Sequence, residues 1–202
     1  MKLKKVQSLC KAAAEYMICD NRMDLGQRVD SQWIGTRDAM YLATGLPYLT
    51  EDSLCNLWDV PQAKRDKLDM QHESWWTSVP MDVSIADTTG ADETAELLGI
   101  GLIVRGETLL PITTGHGMLF LWERYLLPLM DTLATGALEL CIRPAKSDGW
   151  YIIAKARTSI VGVFRPCNMG AEAVLMDKIH CLDTACAAMR HINPATGELT
   201  EM

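Results

Sequence analysis

Residues 2–17 place Leu3, Val6, Leu9, Cys10, Ala13 and Met17 at helical spacing with Lys4, Lys5 and Lys11 on the other faces, which predicts an amphipathic helix with a basic rim. A short strand is expected over residues 18–24, followed by a turn-prone stretch over 24–30. Across residues 32–44 the pair Arg37-Asp38 separates Trp33-Ile34 from Met40-Tyr41-Leu42, the pattern of a tight hairpin that ends by Pro47. Residues 48–59 carry no clear period and are expected to be irregular. Pro61 follows Asp59 where a helix can begin, so residues 62–72 are read as a second helix exposing Lys64, Arg65 and Lys67.

Farther along, residues 79–86 read as a strand, 97–104 and 107–113 flank Arg105-Gly106 as a hairpin, and Gly115-His116-Gly117 breaks the pattern before 118–120. Trp122, Tyr125, Leu126, Leu129, Met130 and Leu133 form one stripe over residues 122–134, the strongest helical signal in the chain despite Pro128, and Gly136 ends it. Strands are expected over 137–143, 150–156 and 159–164, then a closing helix over 170–190 and a polar tail over 193–202.

The order of these elements repeats. Helix, strand, hairpin with an arginine at its turn, then proline describes residues 2–47 and again 122–166, with Arg37-Asp38 answering to Arg157-Thr158. The expected organisation is a half-unit over residues 1–60, a full unit over 61–168 (helix, strands, helix, strands), and a closing helix with a loose tail over 169–202.

Composition narrows the class. With 202 residues, 49% hydrophobic and 22% charged, the chain is globular, which excludes a disordered tail protein, a collagen-like repeat and a long coiled coil. No apolar run approaches the roughly 20 residues that span a bilayer, so no membrane partner is expected. The opening segment lacks the apolar stretch and cleavage site of a leader, and the seven scattered cysteines form no CxxC, so reduced thiols in a cytoplasm are expected. The net charge of -7 disfavours nucleic acid over the whole surface, yet the imbalance is uneven: residues 1–72 hold ten Lys+Arg against ten Asp+Glu, and 73–202 hold nine against sixteen. Basic faces are therefore expected near the start.

Residues 101–109 (Gly-Leu-Ile-Val-Arg-Gly-Glu-Thr-Leu) and Thr113-Thr114-Gly115-His116-Gly117, with the helix and strands up to Pro166, resemble a domain of the bacterial DNA polymerase III sliding clamp, the beta subunit. The likeness covers about a third of the chain directly. Thr113, Gly115 and His116 match the family's threonine-aspartate-glycine-histidine-arginine signature, whereas Thr114 replaces its aspartate and Gly117 its arginine. The resemblance implies an α+β, sliding-clamp-like fold with helices packed on one face of an antiparallel sheet and a partial internal duplication. It implies duplex DNA or replication proteins as partners, no cofactor, and several copies of the chain if a closed ring forms. Lys4, Lys5, Lys11, Lys64, Arg65 and Lys67 would then meet phosphates without reading bases. In the family, the signature loop helps form a pocket for linear peptides, which makes Thr113, Gly115 and His116 candidate partner-binding residues.

Other chemistry is sparse. His116 between two glycines can bind, ligate or transfer a proton, but the sequence supplies no obvious acid or nucleophile beside it, so a histidine on the rim of a turn is the simpler reading. His180-Cys181, Cys186 and His191 lack zinc spacing. Trp33, Trp122 and Trp150 read as core, whereas adjacent Trp75 and Trp76 place one ring outward and are further partner-binding candidates. The acid-rich residues 87–96 read as a solvated connection. With no phosphate loop, GxSxG or HExxH, the expectation is a non-enzymatic, DNA-clamp-like protein that binds duplex DNA or replication proteins. The alternative is a protein–protein interaction module that uses the same fold as a scaffold.

Overall fold

The computed structural model describes residues 1–23, 28–68, 70–74, 83, 85, 92–145 and 149–167. Helix α1 (Leu3–Ala13) leads into β1 (Tyr16–Met23), β2 (Arg28–Thr36) and β3 (Ala39–Leu42). Two short helices, α2 (Glu51–Leu57) and α3 (Gln62–Arg65), precede β4 (Met70–Ser74). Strands β5 (Glu93–Leu97), β6 (Leu102–Val104), β7 (Glu107–Thr114) and β8 (Gly117–Trp122) follow. Helix α4 (Glu123–Leu126), a 3-10 turn (Leu127–Leu129) and α5 (Met130–Ala134) then lead to β9 (Leu138–Pro144), β10 (Trp150–Ala156) and β11 (Ser159–Phe164).

These strands join in one sheet of order β4-β1-β2-β3-β11-β10-β9-β5-β7-β6, with β8 on β7. Every pairing is antiparallel except the parallel β1–β4. The protein is thus a sheet-dominated mixed α/β chain. Its two helix-plus-three-strand runs meet edge to edge where β3 pairs with β11, Tyr41 opposite Gly162 and Ala39 opposite Phe164.

Alternation along the central strands sorts the core into two clusters. Ile18, Ile34, Tyr41, Leu140, Ile142, Ile152, Ala154 and Phe164 point to one face, and Met17, Cys19, Trp33, Met40, Cys141, Ile153 and Val163 to the other. Burial on both faces explains the near-continuous apolar runs of β9 to β11. A bulge in β11 shifts the pairing between Lys155–Ile160 and Ala154–Gly162, which lets Ile160 and Val163 share a face. Val6, Leu9 and Cys10 of α1, Leu54 and Cys55 of α2, Tyr125 and Leu126 of α4, and Leu129 of the 3-10 turn all bury themselves in the first cluster. Helix α1 sits between its neighbours: Gln7 Nε2 donates to the Trp58 carbonyl at 2.6 Å, and the Lys2 N–H donates to the Pro128 carbonyl at 2.8 Å.

Several expectations need correction. Residues 48–59 are not irregular, because Thr50 caps α2 by accepting from the Ser53 N–H while the Ser53 hydroxyl accepts from the Thr50 N–H. The helix expected over 62–72 stops at Arg65, and His72 lies in β4. The stripe over 122–134 is helical but tightens into a 3-10 turn at Pro128, whose ring cannot continue the α ladder. Residues 93–97 are strand β5 rather than solvated connection. The strand expected over 97–104 is interrupted, leaving Leu102–Val104 to pair with β7 across the Arg105-Gly106 turn. Trp33 is core, whereas Trp122 and Trp150 are half-buried. The closing helix, the polar tail and most of the strand expected over 79–86 lie outside the described residues.

Candidate functional site

Helix α1 is built to show its lysines. Its sequence, LKKVQSLCKAA, contains no acidic residue, and helical spacing puts Lys4 and Lys11 opposite the buried Val6, Leu9 and Cys10, with Lys5 on the adjoining exposed flank. All three are exposed. Lys11 also occupies the last turn, where a cation is favoured by the helix dipole.

The other three predicted DNA contacts divide. Lys64 and Lys67 are exposed at the end of α3. Arg65 is spent inside the protein: its Nε donates to the Val60 carbonyl at 3.1 Å, its Nη2 donates to Asn56 Oδ1 at 2.6 Å, and Nη1 lies 3.7 Å from Asp52. It ties α3 to α2. The stripe over α4 and α5 offers Glu123 and Asp131 instead of cations, and its one arginine, Arg124, pairs with Glu107 at 2.7 Å.

The glycine-flanked histidine forms the tip of the β7–β8 hairpin. Thr114 closes the turn, donating its hydroxyl to the Gly117 carbonyl at 2.8 Å and accepting from the His116 N–H at 3.1 Å. Gly117 has φ of 112°, a conformation that only glycine adopts without strain. A Cβ on Gly115 would displace the Glu93 carboxylate, which accepts the Gly115 N–H through Oε1. The second carboxylate oxygen lies 3.0 Å from His116 Nε2. The imidazole in turn stacks on Trp150, ring centres 4.2 Å apart and planes 24° from parallel. Thr113 is on the same hairpin, its hydroxyl 3.4 Å from the Glu96 carbonyl. Trp75 and Trp76 lie outside the described residues, as do the cysteines and histidines of residues 180–191.

Reasoning on the sequence missed two polar clusters. Asp20, 1% exposed, receives Gln32 Nε2 at 2.8 Å and the Tyr48 hydroxyl at 3.0 Å, and lies 3.1 Å from His72 Nε2. Burial alone would raise its carboxyl, but these hydrogen bonds and the nearby imidazole hold it below its ordinary value. Gln32 completes the cluster by gripping both backbone groups of Leu49. Asp92 is buried with Arg143 and Lys155: burial pushes its carboxyl up, and the two cations more than offset that. The register of β1 on β2 and β4, and of β9 on β10, assembles these groups, which no local spacing encodes.

Openings are found among the described residues. An open cleft of about 400 Å³ is bordered by Ser31, Gln32, Thr44 and Tyr48, and a pocket of about 270 Å³ by Leu3, Leu42, Leu46, Leu129 and Val161. Among the described residues no group of three or more His, Cys, Asp and Glu side chains is placed to hold a metal ion, and no helix is long and apolar enough to cross a membrane. Comparison with protein families, with characterised proteins and with solved structures finds no match for the chain.

Proposed function

We propose that the chain is a non-enzymatic, DNA-clamp-like protein that holds duplex DNA by its phosphates without reading bases. The observation that carries this reading is the outward face of α1, where Lys4, Lys5 and Lys11 stand exposed with no acid among them. On a chain of net charge -7, such a face is where a polyanion can approach.

The arrangement behind that face supports the same reading. One helix and three strands occur twice, and Val6 and Leu126, Leu9 and Leu129, Arg37 and Arg157 stand at one constant interval along the chain. In this reading the two runs are a structural duplication. The helices then share one side of an almost wholly antiparallel sheet, since all the apolar side chains named from them enter one cluster. In this reading the exposed Lys64 and Lys67 add to the basic face, and Arg65, tied to Asn56, holds α3 to α2. Phosphate contacts of this kind position a duplex and release counterions, so binding is nonspecific and salt-sensitive. Replication proteins are the protein partners that fit the reading, in a cytoplasm, and encirclement of a duplex takes several copies.

The test is a low-salt titration of a fluorescent duplex with the native chain and with the triple variant K4E/K5E/K11E. The native chain should bind and the variant should bind far more weakly. Equal binding would refute the assignment of α1.

A further inference from the structure

The tip of the β7–β8 hairpin has the form of an occupied carboxylate site. Two donors converge on Glu93: the Gly115 N–H reaches one oxygen and His116 Nε2 lies 3.0 Å from the other. Three features hold these donors in place independently of Glu93. Thr114 fixes the turn through its bonds to Gly117 and His116, the Trp150 ring fixes the imidazole plane, and β8 pairs with β7 along the whole of β8, from Thr114–Gly117 to Leu109–Trp122. Gly115 supplies the room, because any side chain there would fill the space of the carboxylate. Glu93 itself is the first residue of β5, and its side chain is 38% exposed beside a His116 that is 51% exposed. Pairs as exposed as this contribute about 0–1 kcal/mol, so an external carboxylate faces little competition from the resident one.

We propose that this tip is a carboxylate-binding site, held in cis by Glu93, that takes an acidic side chain of a protein partner in its place. The charge sign follows from the donors, an N–H and an imidazole held flat against Trp150. A protein segment is favoured over a free small acid by the openness of the site. With the Glu93 and His116 side chains 38% and 51% exposed, two donors alone hold a small acid weakly, so a ligand here must gain its remaining affinity from contacts elsewhere on the surface. This inference goes beyond duplex binding by α1 and does not depend on it.

The experiment follows the Gly115 amide of the 15N-labelled full chain carrying Glu93→Ala. Sodium acetate and hexaglutamate are titrated separately, against sodium chloride at matched ionic strength. Both carboxylates should shift the amide saturably, hexaglutamate about tenfold more tightly than acetate, and chloride should not. The native chain should need about three- to fivefold more of either, and adding His116→Ala should weaken both about three- to fivefold. Should the alanine variant fail to fold, Glu93→Gln keeps the side-chain volume and should bind more tightly than the native chain in the same titration. No saturable shift, an equal response to chloride, or indifference to His116→Ala would overturn the site. Equal affinities for acetate and hexaglutamate would overturn its assignment to a protein segment.

Discussion

The buried phenol of Tyr41 in β3 donates a 2.6 Å hydrogen bond to the backbone carbonyl of Tyr125 in α4, joining a strand of the first helix-and-strand run to the helix of the second. The Tyr41 ring also meets Phe164 of β11 at 5.6 Å between centres, across the line where the two runs share the sheet. Tyr41→Phe keeps the ring and strands a buried carbonyl, so it should cost about 1–3 kcal/mol. Urea denaturation of the two proteins measures this, and an unchanged midpoint would show that the bond contributes nothing to the join.

Acid should weaken the fold through Asp20. Its carboxyl lies below its ordinary value in the folded protein, so its contribution to stability is complete above the unfolded pKa of about 3.9 and is lost as pH falls through the folded value. Asp92 acts with the same sign. Denaturation midpoints should therefore decline from pH 5 toward pH 3, and Asp20→Asn should be less stable at pH 7 with a shallower acid decline, since Asp92 remains. Parallel curves would mean that Asp20 titrates alike in the folded and unfolded chain.

Arg65 should prove structural. Arg65→Ala removes its bonds to the Val60 carbonyl and Asn56 and should cost about 1–2 kcal/mol, while duplex affinity at low salt stays within about twofold of native. A large loss of affinity in a fully folded Arg65→Ala protein would return this residue to the contact surface.

Hairpins were the most legible part of the sequence, and the reason is local. Arg37-Asp38, Arg105-Gly106 and Arg157-Thr158 each sit between apolar runs close enough to pair across the turn, and all three hairpins formed. Helix α1 was legible because its stripe runs unbroken over three turns. What depended on distant partners was not. Met70 to Ser74 carries helix formers upstream, but its backbone is claimed by β1, some fifty residues away in the chain. Helix α2 hid because Ser53 stands where a capping box usually shows Glu or Gln. Of the hairpin-tip site, His116 and its glycines were visible, whereas Glu93 lay in a stretch that looked solvated and Trp150 in one that looked like core.

Cys10 should resist alkylation in the native chain. Burial first, and the Glu15 charge second, push its thiol up to about 12, and its sulfur donates to the Gly35 carbonyl at 3.3 Å. Iodoacetamide at pH 8 should leave Cys10 unmodified in buffer and label it in concentrated urea, read by peptide mass. Native labelling of Cys10 at the rate of a free thiol would place α1 off the sheet.

The salt dependence of duplex binding tests the central claim most directly. If about four of Lys4, Lys5, Lys11, Lys64 and Lys67 neutralise phosphates, log affinity plotted against log salt should have a slope of roughly -3 to -4. Reversing Lys4, Lys5 and Lys11 should bring that slope to about -1 or flatter, with no change in sequence preference, because such contacts position the duplex without specifying it. A native chain that shows no binding at low salt and high protein concentration, or whose slope is untouched by the triple reversal, would contradict the account.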